Sequence, residues 1–187
     1  MKTPAPHRIL IAPTGDVDPQ LLAAVGREIE RVFRALPEVR PLLSDLSFAF
    51  DAGREQYHST PILQRLAEAL PPGSLKVLAL TDVDLFIPIL THVYGEAQLG
   101  GAACIVSTHR LNSGPETLRS PDLAVGRVVK EAIHELGHTF KLRHCPDAAC
   151  IMHYCRSESD VDRKSNNLCR YCRVMLDDEL SRIAKRL

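Results

Sequence analysis

The sequence predicts a mixed α/β fold, a twisted sheet with helices packed on it. Short apolar runs end in Pro, Gly or Asp, and longer amphipathic stretches open on a capping residue followed by Pro. The two kinds of segment alternate along the chain, as strands and helices do in a layered α/β architecture. Arg8 to Gly15 (RILIAPTG) reads as a buried first strand closed by Pro13 and Gly15. Asp18 and Pro19 then supply an N-cap and first-turn proline for a helix whose apolar face is Leu21, Leu22, Val25, Ile29, Val32, Phe33 and Leu36. The same signal returns at Thr60-Pro61, ahead of Ile62, Leu63, Leu66 and Leu70. It returns again at Ser120-Pro121, ahead of Leu123, Val128, Val129, Ala132, Ile133 and Leu136. Strands are expected at Pro41 to Phe50, Leu75 to Leu80 and Ala103 to Thr108. Thr81-Asp82-Val83-Asp84 follows a strand and reads as a turn rather than a cation site.

After Phe140 the texture turns to Cys, His, Arg, Asp and Asn, with few apolar residues before Val174. Such a stretch buries little and needs another source of order. A last helix, about Leu176 to Arg186, runs from acidic to basic residues as the helix dipole prefers. Lys plus Arg and Asp plus Glu both total 23, so no global positive field gathers nucleic acid or anionic lipid. A local cluster, Arg156, Arg163, Lys164, Arg170 and Arg173, is the one basic feature that could contact a polyanion. The N-terminus lacks a signal-peptide pattern and no apolar run reaches membrane length, so a cytoplasmic monomer with reduced thiols is expected.

The third helix ends in His134-Glu135-Leu136-Gly137-His138. Two His four residues apart project from one face and can bind one ion, while Glu135 is offset around the helix as a base that does not itself bind metal. His144 follows six residues after His138, which completes the extended histidine pattern of the metzincin peptidases. Three neutral imidazoles leave a fourth zinc position open for water, whose pKa the ion lowers towards ~7. Glu135 would take that proton and return it to the leaving amine of a peptide or protein substrate. The pattern places Gly where this chain has Lys141, at a sharp turn with positive φ. Lys141 is therefore a strained solvated residue or a charge beside the site. In the second case it either aids a substrate carboxylate or oxyanion or disfavours the cation, and the last option is the alternative reading of the chain as a non-catalytic zinc-binding interaction module for a peptide or nucleic acid, with an impaired active site.

Cys145, Cys150, Cys169 and Cys172 form C-x4-C and C-x2-C pairs with the spacing of a closed structural zinc site. Two disulfides are the alternative reading, and Cys155 is a spare thiol that could stand in for Cys150. His7, His58, His92, His109 and His153 show no ligand spacing.

From His134 to Cys172, about a fifth of the chain, the sequence resembles the archaemetzincin family. The matching segments are HELGH, His144-Cys145, Cys150-Ile151-Met152 and Cys169-Arg170-Tyr171-Cys172. Lys141 departs from the usual Gly, and the Met152 to Cys169 interval is a residue short. The resemblance implies one compact α+β zincin-like domain over 1–187. Residues 1–140 would carry the mixed sheet and active-site helix, and 141–187 the third His, Met-turn, four-cysteine site and final helix. It implies two Zn2+ per chain, one catalytic and one structural, and a peptidase activity that includes aminopeptidase-like cleavage in the family. Met152 would floor the three imidazoles as the Met-turn residue. Tyr154 would be a transition-state donor or a packing residue. Ala103 to Thr108 would be either the edge strand that pairs with substrate or an ordinary buried strand.

Overall fold

The computed structural model describes residues 7–112 and 120–185. Strand β1 (Arg8–Pro13) leads through helix α1 (Pro19–Phe33) to β2 (Leu36–Val39). The short strands β3 (Phe50–Asp51) and β4 (Gln56–His58) precede α2 (Ser59–Glu68). Next come β5 (Ser74–Thr81), β6 (Leu85–Phe86), β7 (Gly95–Ala97) and β8 (Ala103–Ser107). The long α3 (Pro121–Thr139), the short α4 (Glu158–Arg163) and α5 (Arg170–Ala184) complete the chain. The main sheet has the order β2-β1-β5-β8-β7, parallel except for β7.

Alternation of side chains about the strands explains why the central strands read as unbroken apolar runs. Ile9 and Ile11, Leu78 and Leu80, and Cys104 and Val106 point to one face, packed under α1, α3 and the C-terminal segment. Leu10 and Ala12, Val77 and Ala79, and Ala103 and Ile105 point to the other, packed under α2. With both faces covered, neither set can be polar. The N-cap of α1 forms as its sequence predicts, Asp18 accepting from the Gln20 N–H at 2.8 Å.

Four expectations need correction. Leu36 begins β2 instead of ending α1, because the chain turns at Arg34 (φ 54). Pro41 to Phe50 is not a strand: Asp45 accepts from the Ser47 N–H at 3.0 Å and starts a single 3₁₀ turn, Ser47–Ala49. The second strand is β2, an edge position where Pro37 is tolerated. Ala103 to Thr108 supplies no edge, since β8 lies between β5 and β7 with all five strand residues buried; the edges of the sheet are β2 and β7, and β7 is the one beside the histidine motif. The last helix starts at Arg170 because the Cys169 sulfur caps it, accepting from the Cys172 N–H at 3.5 Å. Arg186 lies outside the described residues.

Polar contacts order the sparse C-terminal segment. Ile151 donates to Asn167 O at 2.8 Å, and Ser165 donates to Ala149 O at 3.0 Å. Arg127 of α3 grips Asp162 through two bonds of 2.8 and 2.7 Å. Lys130 donates to the carbonyls of Val161 and Asp162. The expected basic cluster is thereby broken up: Arg163 pairs with Asp160, Arg173 donates to Val32 O, and Lys164 is buried against Glu131. Among the described residues no helix is long and apolar enough to cross a membrane.

Candidate active site and metal centres

The last turns of α3 carry His134, Glu135 and His138, and the chain leaving the helix brings His144 back to them. Ligand atoms of the three His lie within 4.8 Å of one another. His134 Nδ1 is 2.9 Å from Ile151 O, and His138 Nδ1 is 2.7 Å from Leu142 O. A carbonyl only accepts, so each Nδ1 carries the ring proton and each Nε2 presents a lone pair. Those two Nε2 atoms are 3.1 Å apart. Facing lone pairs at that distance repel unless a cation lies between them. A tetrahedral ion with bonds of ~2.0–2.1 Å places its ligands ~3.3 Å apart, so the donor set fits zinc. Burial pushes all three imidazoles below the usual histidine range, which keeps them neutral and free to ligate.

Two glycines make room for this geometry. A Cβ on Gly137 would sit 2.5 Å from the Met152 sulfur, so the glycine inside the motif lets buried Met152 press against the helix that carries the imidazoles. A Cβ on Gly95 would sit 2.6 Å from Ile105 O and 2.8 Å from Glu135 Cγ, so β7 passes directly over the stem of Glu135. Burial raises the Glu135 carboxyl well above the usual range, as does the neighbouring Glu131 carboxylate, while Lys164 opposes both. All of this opens on a cavity of about 380 Å³ walled by Tyr94 to Ala97, by α3 and by Tyr154 to Arg156. Tyr154 is exposed at its rim, its ring 5.0 Å from that of His144.

Lys141 does adopt the left-handed conformation, with φ 68. Its ammonium meets Glu179 of α5 at 2.7 Å, in a groove separate from the cavity, so it does not stand over the histidines.

Cys145, Cys150, Cys169 and Cys172 form the second cluster, with sulfurs within 4.8 Å of one another. Cys145 and Cys169 sulfurs are 3.7 Å apart, and all the cysteines are free. A tetrahedron with Zn–S bonds of ~2.3 Å has edges of ~3.8 Å, so this donor set also fits zinc. The Cys172 N–H holds the Cys169 thiol below its usual range, favouring thiolate. Cys155 stands apart in the wall of the catalytic cavity.

Three converging imidazoles, an adjoining buried carboxylate and a methionine packed against the same helix are the arrangement of a metzincin-type zinc metallopeptidase. Residues 64–178 match the model of Peptidase family M54. An archaemetzincin of Methanocaldococcus jannaschii is 36% identical over 174 residues, spanning 91% of this chain and 93% of its own. The crystal structure of archaemetzincin from Methanopyrus kandleri superposes with a TM-score of 0.82 at 35% identity, covering 94% of this chain and 96% of that one. A zinc-dependent peptidase from Methanocorpusculum labreanum gives 0.76 at 28% identity, over 90% and 99%. The chain belongs to peptidase family M54, the archaemetzincins. The likeness evident in the sequence between His134 and Cys172 thus extends through the N-terminal sheet.

The sequence points to neither Gly95 nor Glu131, and assigns Gly137 and Lys164 no role of their own at the site. Gly137 was visible inside the histidine motif. Gly95 lay in a three-residue strand with no apolar pattern, and Lys164 looked like one more surface cation.

Proposed function

We propose that the chain hydrolyses peptide bonds at the three-histidine centre, with Glu135 as the proton-transfer group. The observation that carries this is the convergence of the His134 and His138 lone pairs beside buried Glu135 in an open cavity. His134, His138 and His144 would hold a zinc ion, which when bound would supply Lewis acidity to a water and to the scissile carbonyl. Glu135 accepts the proton of the attacking water at its carboxylate and delivers it to the leaving nitrogen. Its raised proton affinity suits both halves of that transfer. Met152 supports the imidazoles from below, and Ile151 and Leu142 fix their orientation through the two Nδ1 protons.

The substrate is an extended peptide, and the outer edge of β7 is the strand that offers it backbone groups. Tyr154 would donate to the oxygen that gains charge, a role supported by its position in the cavity lining. A second zinc at the four cysteines is structural, because four thiolates leave no open position. The placement of the Lys141 ammonium on Glu179 removes the main ground for reading the chain as a non-catalytic binding module.

Digestion of a mixed peptide library by zinc-loaded parent and Glu135→Ala proteins tests the assignment. Cleavage by the parent alone is expected, and the products show whether single N-terminal residues or internal bonds are released. Equal cleavage by both proteins would remove Glu135 from the mechanism.

A further inference from the structure

One buried ion pair in the wall of the catalytic cavity has no part in the chemistry above. Glu131 lies one helical turn before Glu135 and three residues before His134, so it shares their face of α3 and lines the same cavity. Its partner is Lys164, which follows α4. The Lys164 ammonium is wholly buried and meets Glu131 Oε1 at 2.6 Å, with the Glu131 side chain 6% exposed. Lys164 acts electrostatically on all three imidazoles and on Glu135.

A buried ammonium beside a site for a dication is unfavourable on its own. It is tolerable here because the Glu131 carboxylate, its partner at 2.6 Å, lines the cavity in its place. Glu131, for its part, is a carboxylate on the ligand-bearing face, yet it is not in the group whose donor atoms converge. Lys164 holds it on the wall.

We propose that Glu131 and Lys164 are positioning residues that set how tightly the three-histidine centre holds its cation. Glu131 strengthens the hold through its negative charge, and Lys164 weakens it while anchoring Glu131 outside the ligand set. This rests on the reading of His134, His138 and His144 as metal ligands.

The test is zinc affinity, measured by titrating zinc against a chelator with the four-cysteine cluster kept loaded. The binding step that disappears in His144→Ala identifies the three-histidine centre. Glu131→Gln, which keeps an acceptor for Lys164 but loses the charge, should weaken zinc binding by about tenfold or more. Lys164→Met should tighten it by a comparable factor. Lys164→Gln, which retains a donor to Glu131, should shift affinity in the same direction and serves if the methionine variant does not fold. A purely structural pair predicts a different result, with affinity and melting temperature falling together in every variant. That outcome, or affinities unchanged from the parent, overturns the proposal and leaves the peptidase reading standing. A parent that binds zinc only at the four cysteines overturns both.

Discussion

Replacing Gly95 by alanine probes how closely the edge strand β7 and the Glu135 side chain are fitted. The added Cβ would lie 2.6 Å from Ile105 O, 2.8 Å from Glu135 Cγ and 3.0 Å from Val106 Cγ2. Ordinary carbon contacts are ~3.5–4.0 Å, so the Cβ and Glu135 would be about 1 Å too close. Ile105 O cannot yield, because β8 is buried and paired on both sides. Either β7 lifts away or the Glu135 stem shifts by about an ångström. Overpacking of this kind costs about 1–3 kcal/mol of stability, towards the lower end here because an edge strand can move. The effect on rate should be larger. A 1 Å displacement of a reacting group costs roughly 100-fold, or about 2.7 kcal/mol of barrier. Gly95→Ala should therefore retain its zinc, measured by elemental analysis, while kcat on the best library peptide falls about 100-fold. A variant that turns over within about threefold of the parent would refute the claim that β7 fixes Glu135.

Gly126, also on α3, has nothing within 4 Å of an added Cβ. Gly126→Ala should raise stability by about 0.5–1 kcal/mol in urea denaturation with activity unchanged, and destabilisation there would contradict the helix geometry. Hydrogen bonds from Arg127 hold the Asp162 carboxyl below its usual range. The folded state then prefers ionised Asp162, so the pair's contribution is full above about pH 4 and is lost as pH falls through and below that value. Asp162→Asn should cost about 3 kcal/mol at pH 7, because buried Arg127 loses its carboxylate, and clearly less at pH 3. An equal cost at both would show that charge is not what Asp162 contributes. Cys172→Ser should lose one zinc per chain and lower the melting temperature by roughly 10 °C, since the segment around Met152 depends on that cluster. A variant with full zinc content would exclude Cys172 as a ligand.

What the sequence made legible followed from periodicity and from ligand chemistry. The helical stripe from Val128 to Leu136 and the run Ile9 to Ala12 are patterns enforced by burial, which any packed layer must show. The His and Cys spacings were legible because a metal imposes geometry on residues close in sequence. The exposed edge of the sheet was not. Gly95-Glu96-Ala97 lacks a strand pattern, because at Gly95 a side chain would meet Ile105 O and Glu135 Cγ, and Glu96 is held by the hydroxyls of Ser59 and Thr60. Lys164 was misread for the related reason that its partner, Glu131, lies 33 residues away. Pairings of that range leave no local trace in a single sequence.

The same long-range contacts explain how a polar segment becomes the floor of an active site. On α3, Arg127, Lys130 and Glu131 share one face and bind, in turn, Asp162, the carbonyls of Val161 and Asp162, and Lys164. This polar ladder docks α4 on the ligand-bearing helix. From Ser165 and Asn167 two hydrogen bonds then run back to Ala149 and Ile151. Ile151 O in turn accepts the Nδ1 proton of His134. The histidine's orientation is thus fixed through the backbone of the segment that α4 and the cysteine cluster hold in place. Weakening the ladder should disturb His134 before it unfolds the sheet, because Ile9, Leu78 and Val106 share a core with many residues of α1 and α3, to which α4 adds only Val161. Cutting the Arg127–Asp162 pair should therefore loosen zinc at the three-histidine centre at urea concentrations where the far-ultraviolet circular dichroism is still native. Simultaneous loss of zinc and secondary structure would argue instead that sheet and metal centre form one cooperative unit.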